Sequence, residues 1–211
     1  MLAAESLFAE KGLANVSVRA IVGAAGQRNE SALHYHFGGR EGLIAALHEL
    51  RSQQLGRERM ALAEKLVSNP ETFDLRTMAA IMVRPAFQLA GRDSGYRNYL
   101  KVFAHLVLFS SSQLAALIAK SEDGDIRETH RVLQELCPQL DAALVDTRIE
   151  NATRFATLAL SQRAREGGSF RGKRAEFFIN DLVDTVAAML AAEPSGETLA
   201  LLASSRSGGR R

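Results

Sequence analysis

Apolar residues recur along this chain every three or four positions, which is the spacing of one face of an α-helix. In "AESLFAEKGL", Ala3 pairs with Leu7 and Ala4 pairs with Phe8 in this way. No run alternates apolar and polar residues between turn signals, as a half-buried strand would. The pattern therefore predicts an all-α fold with nine helices, at residues 2–11, 17–24, 29–36, 40–67, 74–90, 95–120, 125–136, 138–166 and 173–192.

The ends of the first three helices carry specific signals. Gly12 follows the first helix, where a residue in the left-handed conformation often ends a helix. Ser17 can cap the second helix, and Val16 and Ile21 occupy the two positions of a hydrophobic staple. Asn29 can cap the third. The sequence thus predicts three short helices within the first forty residues.

The third helix has one apolar face and one polar face. Leu33 and Phe37 are spaced i, i+4 and are expected to face inward, whereas Tyr35 lies almost opposite them, with Ser31 and His34 beside it. Two short helices joined by a glycine-containing turn, the second displaying polar side chains, are typical of a helix-turn-helix that reads the DNA major groove. The alternative is a helical hairpin with an ordinary solvated face.

The residues after Phe37 favour DNA binding. Gly38 and Gly39 precede the fourth helix, where unpaired N–H groups and the helix dipole attract a phosphate. Arg40 stands beside them and can contact the same phosphate. A phosphate site next to a groove-reading helix fits a DNA-binding protein.

Composition sets the wider class. The chain has 211 residues, of which 46% are hydrophobic, so it can bury a real core. Its single cysteine, Cys137, excludes an internal disulfide framework and fits a reducing compartment, so a cytoplasmic protein is expected. We find neither a signal peptide nor an apolar run long enough to span a membrane. The net charge of +2 says little about nucleic acid.

Three segments together resemble a known family. "AAESLFAEKG", "VSVRAIVGAAG" and "SALHYHFGGREGLIAAL" are similar to the N-terminal DNA-binding domain of the TetR family of bacterial transcriptional repressors. The resemblance implies a helix-turn-helix domain at 1–46 and a C-terminal helical domain at 47–193 that binds a small effector and dimerises. It also implies a homodimeric repressor that an effector releases from a palindromic operator. No cofactor or metal is expected. Residues 194–211, which include "SSRSGGRR", are predicted to form a disordered tail.

The sequence departs from the family pattern at several points. The turn before the third helix is one residue longer than usual, Arg40 replaces a lysine, and His34 replaces a tyrosine. Family members usually carry several more residues before the first helix, some of which reach the minor groove. The chain is therefore expected either to be truncated at its start or to lack such an arm.

Candidate base contacts follow from side-chain chemistry as well as from the resemblance. Arg19 and Arg28 can each bond a guanine with two N–H groups, and Ser31 and Tyr35 can meet base edges or a thymine methyl group. Glu30 can accept from a cytosine amino group, or it can simply complement the dipole at the start of the third helix. For Arg19, Arg28, Ser31 and Tyr35, the alternative is that the side chain is only solvated.

Candidate contacts to the DNA backbone lie on the same segment. His34, His36 and Arg40 fit phosphate contacts, which set orientation without reading sequence. His36 can equally be a packed, hydrogen-bonded side chain. Asn29 is interpreted as a helix cap more than as a DNA contact.

Two other classes of function remain as alternatives. One is a helical interaction module that has lost DNA binding, and the other is a small helical enzyme. The enzyme has little support, because the sequence contains no HExxH, GxSxG, phosphate-loop or CxxC motif. His34 and His36 are two residues apart on a helix and so cannot share a metal ion.

The helix at 138–166 carries apolar residues on two sides. Val145, Ile149, Ala152, Ala156 and Ala159 follow a 4-3-4-3 spacing, the pattern of a helix packed lengthwise on another. Phe155 and Leu158 lie off that stripe. We expect one partner within the subunit and one across a dimer axis, with the small residues Ala152 and Ala156 at the crossing. The helix at 173–192 is expected to complete a four-helix dimer interface.

The middle helices contain flexible and bulky residues suited to an effector site. They are Met78, Met82, Phe87, Phe103 and Phe109, beside His105 and Arg154 as polar anchors. Ordinary core packing is the alternative for each of them, and none is assigned as a ligand contact.

Overall fold

The computed structural model describes residues 1–66, 73–109 and 123–208; for 103–109, 123–128 and 205–208 it describes the backbone alone. Within these ranges the chain forms ten α-helices and one short 3₁₀ turn, Leu13–Asn15, and no strand. The helices are α1 Leu2–Lys11, α2 Val18–Ala24, α3 Glu30–Phe37, α4 Arg40–Leu66, α5 Leu75–Arg92, α6 Ser94–Phe109, α7 Asp123–Leu136, α8 Ala142–Arg165, α9 Lys173–Ala191 and α10 Gly196–Gly208.

The predicted all-α fold is confirmed, and eight of the nine predicted helices end within a few residues of the observed bounds. The remaining helix, predicted at 95–120, is observed as α6 as far as Phe109. Residues 110–120 lie outside the described part of the chain, as do the side chains of Phe103, His105 and Phe109.

The predicted caps of α2 and α3 are present. The Ser17 hydroxyl accepts a hydrogen bond from the Ala20 N–H at 3.2 Å, and the Asn29 side chain accepts one from the Ser31 N–H at 2.9 Å. Gly12 ends α1 with a positive φ of 79°, but its ψ of 152° is extended and not left-handed helical. A residue with a side chain would be strained there all the same.

Helices α1 to α3 enclose a small core together with the first two turns of α4. Its buried residues are Ala4, Phe8, Val16, Ile21, Val22, Leu33, Leu43, Ile44 and Leu47, joined by Val102 of α6. Since α6 belongs mainly to the C-terminal half, this small core extends across the division between the halves.

The larger core lies farther along the chain. It forms where α5 packs along α9 and α6 packs along α8, and it takes in Leu133 and Cys137 at the end of α7. The C-terminal half of α4 packs beside α5, and Leu55 of α4 contacts this core. Cys137 is a buried free thiol, and burial raises its pKa. A neutral thiol is a poor nucleophile, which fits a structural cysteine.

A buried polar pair joins α4 to α6. His48 Nδ1 lies 2.9 Å from the Tyr99 hydroxyl, and the Ser52 hydroxyl lies 3.2 Å from His48 Nε2. Burial lowers the pKa of His48 to about 4, so the ring is neutral at pH 7. A neutral imidazole has one donor and one acceptor, which suits two hydroxyl partners.

The prediction of a disordered tail is wrong for residues 196–208, which form α10. The Ser195 hydroxyl accepts from the Thr198 N–H at 3.3 Å and so caps this helix. The "LALLA" segment, residues 199–203, consists of residues with good helix propensity. Leu199 and Leu201 remain exposed.

The predicted placement of the alanine stripe of α8 at a dimer crossing is also wrong. Val145, Ile149 and Ala152 are buried inside the subunit, and Ala156 is only 8% exposed. They belong to the core that α8 shares with α5, α6 and α9. The 4-3-4-3 spacing therefore reflects packing within one chain and not across a dimer axis. Off that stripe, Phe155 and Leu158 are 39% and 43% exposed.

Arg154 is not a buried anchor. Its side chain is 49% exposed and pairs with Glu150, one turn earlier, at 2.5 Å. Met78 and Phe87 are buried in the larger core, and Met82 packs against it. Within the described residues, no helix is long and apolar enough to cross a membrane.

Candidate nucleic-acid interface

The orientation of α3 follows from its two apolar side chains. Leu33 is 8% exposed, and Phe37 is half-buried against the small core, as the spacing predicts. Tyr35, on the opposite side of the helix, is 85% exposed. The hydrophobic contacts of α3 therefore turn its polar face to solvent.

Most of the predicted contacts are exposed on α2, α3 and the connection between these helices. Arg19 is exposed in the first turn of α2, Arg28 is exposed in the connection to α3, and Ser31 is exposed in the first turn of α3. The rings of Tyr35 and His36 meet edge to face, with centroids 5.2 Å apart. We call the exposed residues Arg19, Arg28, Ser31, His34, Tyr35 and His36 the outward face.

Two further candidates lie at the start of α3. Asn29 is the N-cap, which confirms its interpretation as a cap. Glu30 is the first residue of the helix and is exposed. A carboxylate there stabilises the helix through its dipole, whatever else it contacts.

A pair of glycines leads from α3 into α4. Gly38 ends α3 in the left-handed conformation, with φ 70° and ψ 9°, and its N–H donates to the His34 carbonyl at 2.8 Å. Gly39 has φ 119°, and a Cβ there would lie 3.7 Å from His34 Nδ1. The His34 ring therefore lies beside the bare backbone at the start of α4.

Arg40, the predicted phosphate contact, is part-buried, and its guanidinium bonds to the protein itself. Its Nε donates to the Val16 carbonyl at 3.2 Å, and its Nη2 donates to the Leu13 carbonyl. The guanidinium also lies over the Phe8 ring, 5.7 Å from the centroid. Since both carbonyls lie between α1 and α2, Arg40 ties that segment to α4.

Gly42 is a structural requirement that sequence reasoning missed. A Cβ on Gly42 would collide with the carbonyl oxygen of Phe37, at the last turn of α3. The backbones of α3 and α4 thus meet at Gly42, and this contact sets how α3 projects from the domain. The signal in the sequence was a glycine inside a predicted helix, where it costs about 1 kcal/mol relative to alanine.

The arrangement offers exposed donors, acceptors and an aromatic ring on α2, α3 and the connection between them. Among the described residues, no group of three or more His, Cys, Asp or Glu side chains can hold a metal ion. Such a surface is suited to binding a macromolecule.

Two family profiles match this chain. "Bacterial regulatory proteins, tetR family" matches residues 1–47, and "Tetracyclin repressor-like, C-terminal domain" matches residues 80–192. The first match contains the outward face, and the second contains most of the larger core. No curated protein sequence matches the chain significantly.

Solved structures share the fold over nearly the whole chain. The fatty acid degradation regulator FadR from Bacillus halodurans is 16% identical, with 91% of this chain and 96% of that chain covered and a TM-score of 0.59. FadR from Bacillus subtilis, solved with stearoyl-CoA, is 16% identical, with coverage of 92% and 96% and a TM-score of 0.61. PfmR from Thermus thermophilus, a TetR family transcriptional regulator, is 19% identical, with coverage of 92% and 95% and a TM-score of 0.53.

Gly42→Ala should destabilise the packing of α3 on α4. The added methyl group has no space beside the Phe37 carbonyl, so we expect a loss of about 1–3 kcal/mol in the free energy of unfolding. Urea denaturation gives that free energy, and amide hydrogen exchange of α3 shows where protection is lost.

Gly23→Ala is the matched control. Gly23 lies in α2, and a Cβ there would have no atom within 4 Å. Alanine has the higher helix propensity, so this variant should be neutral or gain up to about 1 kcal/mol. If Gly42→Ala matched the wild type in both measurements, the close approach of α3 and α4 would not constrain the fold.

Proposed function

Because the chain belongs to the tetR family of bacterial regulatory proteins, we propose that it is a cytoplasmic, sequence-specific repressor. It binds a palindromic operator as a homodimer and leaves that operator when a small effector binds. The observation that carries the DNA-binding part is the exposure of Tyr35 and its neighbours on α3, opposite the buried Leu33. TetR-family regulators are generally not enzymes, and none of these residues is assigned a catalytic role.

The outward face supplies the base contacts in this proposal. Arg19 and Arg28 each present a guanidinium that matches the two acceptors of guanine in the major groove. Tyr35 and Ser31 project from α3 and can meet base edges or a thymine methyl group. Glu30 selects cytosine if it approaches a base. Together these contacts read one half-site.

In this proposal the histidines contact the phosphate backbone of the DNA. His34 and His36 are exposed on α3, and His34 lies beside Gly39 at the start of α4, where backbone N–H groups favour a phosphate. Arg40 contributes indirectly, since it holds the segment before α2 against α4. Asn29 contributes through the N-cap of α3.

Tyr35→Ala and Arg19→Ala should each weaken operator binding by about 1 to 3 kcal/mol, because each removes a contact to a base edge. The operator is first selected from a random pool of duplex DNA, and affinity is then measured by fluorescence anisotropy. Binding of the wild type should also fall steeply as salt rises, since phosphate contacts release counterions.

Arg131→Ala is the matched control for charge. Arg131 is exposed on α7 and pairs with Glu135, so its loss removes the same charge away from the outward face. This variant should bind the operator like the wild type. If the wild type selected no DNA, the interaction module would be the better interpretation. If Tyr35→Ala and Arg19→Ala both bound normally, the reading face would lie elsewhere.

The proposed dimer uses the exposed sides of α8 and α9. Phe155 and Leu158 on α8 and Phe177 on α9 are exposed apolar residues, with Phe177 at 75%. Phe178 is shielded by the Arg163 guanidinium, 4.3 Å from its ring centroid, so Phe177 remains the exposed aromatic residue of this pair. Two copies of this helix pair form a four-helix interface across a two-fold axis.

Leu158→Arg should separate the dimer, because it places two charges against an apolar interface with no partner. Light scattering should show monomers at concentrations where the wild type is dimeric, with an unchanged circular dichroism spectrum. Met60→Arg is the control, since Met60 is 60% exposed on α4, away from α8 and α9. A dimeric Leu158→Arg protein would place the interface elsewhere.

Effector release is proposed from family membership. The fold is shared with a FadR solved with stearoyl-CoA, so long-chain acyl-CoA thioesters are the first class of ligand to test. A ligand weakens DNA binding only to the extent that it binds the DNA-releasing state of the dimer more tightly than the DNA-binding state. A hundredfold loss of operator affinity therefore requires about 2.7 kcal/mol of coupling.

A thermal-shift screen of acyl-CoA thioesters and unrelated small molecules should find compounds that stabilise the dimer, and at least one of them should release the operator in anisotropy titrations. Free coenzyme A is the control for binding through the nucleotide alone. If every stabilising compound left operator affinity unchanged, a small-molecule switch would be excluded for this set of ligands. That result would leave the proposal of DNA binding unchanged.

A further inference from the structure

The two cores meet along α4 and α6 and are not joined by a flexible linker. Helix α1 packs against α6, and Val102 of α6 is buried in the small core. In the other direction, α4 leaves the small core at Leu47 and contacts the larger core at Leu55. We call the part around the small core, α1 to α3 with the start of α4, the reading head, and the part around the larger core the body. Contacts near the middle of α4 therefore set the angle between the reading head and the body.

Arg51 lies at this point and holds two carboxylates. Its Nε and Nη2 donate to Glu5 Oε1 and Oε2 at 2.8 and 2.6 Å, which is a bidentate pair. Its Nη1 donates to Asp93 Oδ2 at 2.8 Å. Glu5 belongs to α1, Arg51 to α4, and Asp93 immediately precedes α6. We call these three residues the clasp.

Neighbouring groups fix the clasp. Gln54 accepts from Arg51 Nη1 at 2.7 Å and lies 3.4 Å from Asp93 Oδ2. Asp93 Oδ1 accepts from the Gly95 N–H at 2.8 Å, so the same carboxylate orients the start of α6. The Arg51 guanidinium also lies 5.9 Å from the centroid of the Tyr96 ring.

Gly95 shows how closely the clasp is packed. A Cβ on Gly95 would collide with Arg51 Nη2 and lie 3.0 Å from Glu5 Oε2. The backbone of α6 thus approaches the ion pair directly. No space for a side chain remains between the start of α6 and the guanidinium.

The clasp is buried more deeply than a surface ion pair. The side chains of Arg51, Glu5 and Asp93 are 6%, 1% and 33% exposed. Burial raises the pKa of Glu5, and the hydrogen bonds and charge of Arg51 oppose that rise. Burial also acts to raise the pKa of Asp93, but the Tyr96 backbone hydrogen bond and Arg51 outweigh it, and the net shift is downward.

Stability alone is a weak explanation for such a group. Desolvation offsets most of the attraction in a buried ion pair, and a hydrophobic replacement is often as stable. A guanidinium, however, has its donors in one rigid plane, so its partners are held at defined angles. The clasp therefore restricts orientation more than it adds to stability.

We propose that Arg51 is a positioning residue for operator recognition, which clasps Glu5 of the reading head to Asp93 of the body and so sets the spacing of the two heads in the dimer. This inference rests on the proposed function, since it requires a dimer that reads two half-sites. A two-fold dimer accepts only half-sites that its heads can reach together, about one helical turn apart. The clasp then determines which spacing is accepted.

The test measures how affinity depends on half-site spacing. Anisotropy titrations use the selected palindrome, the same palindrome with one to four base pairs inserted or removed at its centre, and an isolated half-site. Wild-type affinity should fall sharply away from the selected spacing. Asp93→Asn, which keeps an acceptor for the Gly95 N–H, should bind the selected palindrome about tenfold more weakly. Its spacing profile should be flatter, and its half-site affinity should be unchanged.

Gly95→Ala tests the same clasp by a steric route and should give the same flattened profile. Arg92→Gln is the matched control. It breaks the Arg92–Glu58 ion pair, which also joins α4 to the end of α5 but does not involve α1. Its spacing profile should match the wild type. Circular dichroism and light scattering establish that each variant is folded and dimeric.

The outcomes separate this inference from the function on which it rests. If folded dimers of Asp93→Asn and Gly95→Ala kept the wild-type spacing profile, the clasp would not position the heads. Equal losses on half-site and palindrome, or failure of both variants to fold, would assign the clasp to stability and overturn the proposal. If the wild type selected no palindrome, the proposed function would fail and this inference with it.

Discussion

The rest of the structure depends on one constraint: α4 and α6 each contribute to two hydrophobic cores at once. Leu43, Ile44 and Leu47 of α4 complete the small core, and its later turns pack against α5. Val102 of α6 is buried in the small core, while Tyr99 and Leu100 belong to the larger one. Since close-packed interiors resist small displacements, the two halves cannot move independently without repacking a helix. Polar groups occupy the boundary, where His48 meets Tyr99 and Arg51 meets Glu5.

The outward face depends on this frame. Tyr35 reaches solvent because Leu33 and Phe37 bind α3 to the small core, and the direction of α3 is then limited by the contact of Phe37 with Gly42 of α4. Arg40 adds a second tie, from α4 to the segment before α2. The outward face is thus oriented by contacts on the buried side of α3 and at the start of α4. Residues packed behind α3 therefore set the orientation of the side chains that are exposed on it.

The C-terminal half shows how one helix can serve two kinds of packing. The small residues of α8 face α5, α6 and α9, whereas Phe155 and Leu158 are left on its outer side. A lengthwise stripe of alanines allows close approach, and within this subunit that approach is made to its own neighbours. The larger side chains remain exposed, and in the proposed dimer they are the ones available to a second copy.

Much of the fold follows from local sequence. Period, caps and glycines predict the helices and their ends, because these depend on residues within one or two turns, and the inward Leu33 with Phe37 predicts an outward Tyr35. Spacing shows which face of a helix is buried, but it does not identify the partner. For that reason the sequence predicted a phosphate contact for Arg40 without its bond to the Val16 carbonyl, and it placed Ala152 against a second copy where the structure buries it in its own core. Only the tertiary structure decides that Arg51 bonds both Glu5 and Asp93. Arg51 lies more than forty positions from each of them in the sequence, so α1, α4 and α6 must first pack together.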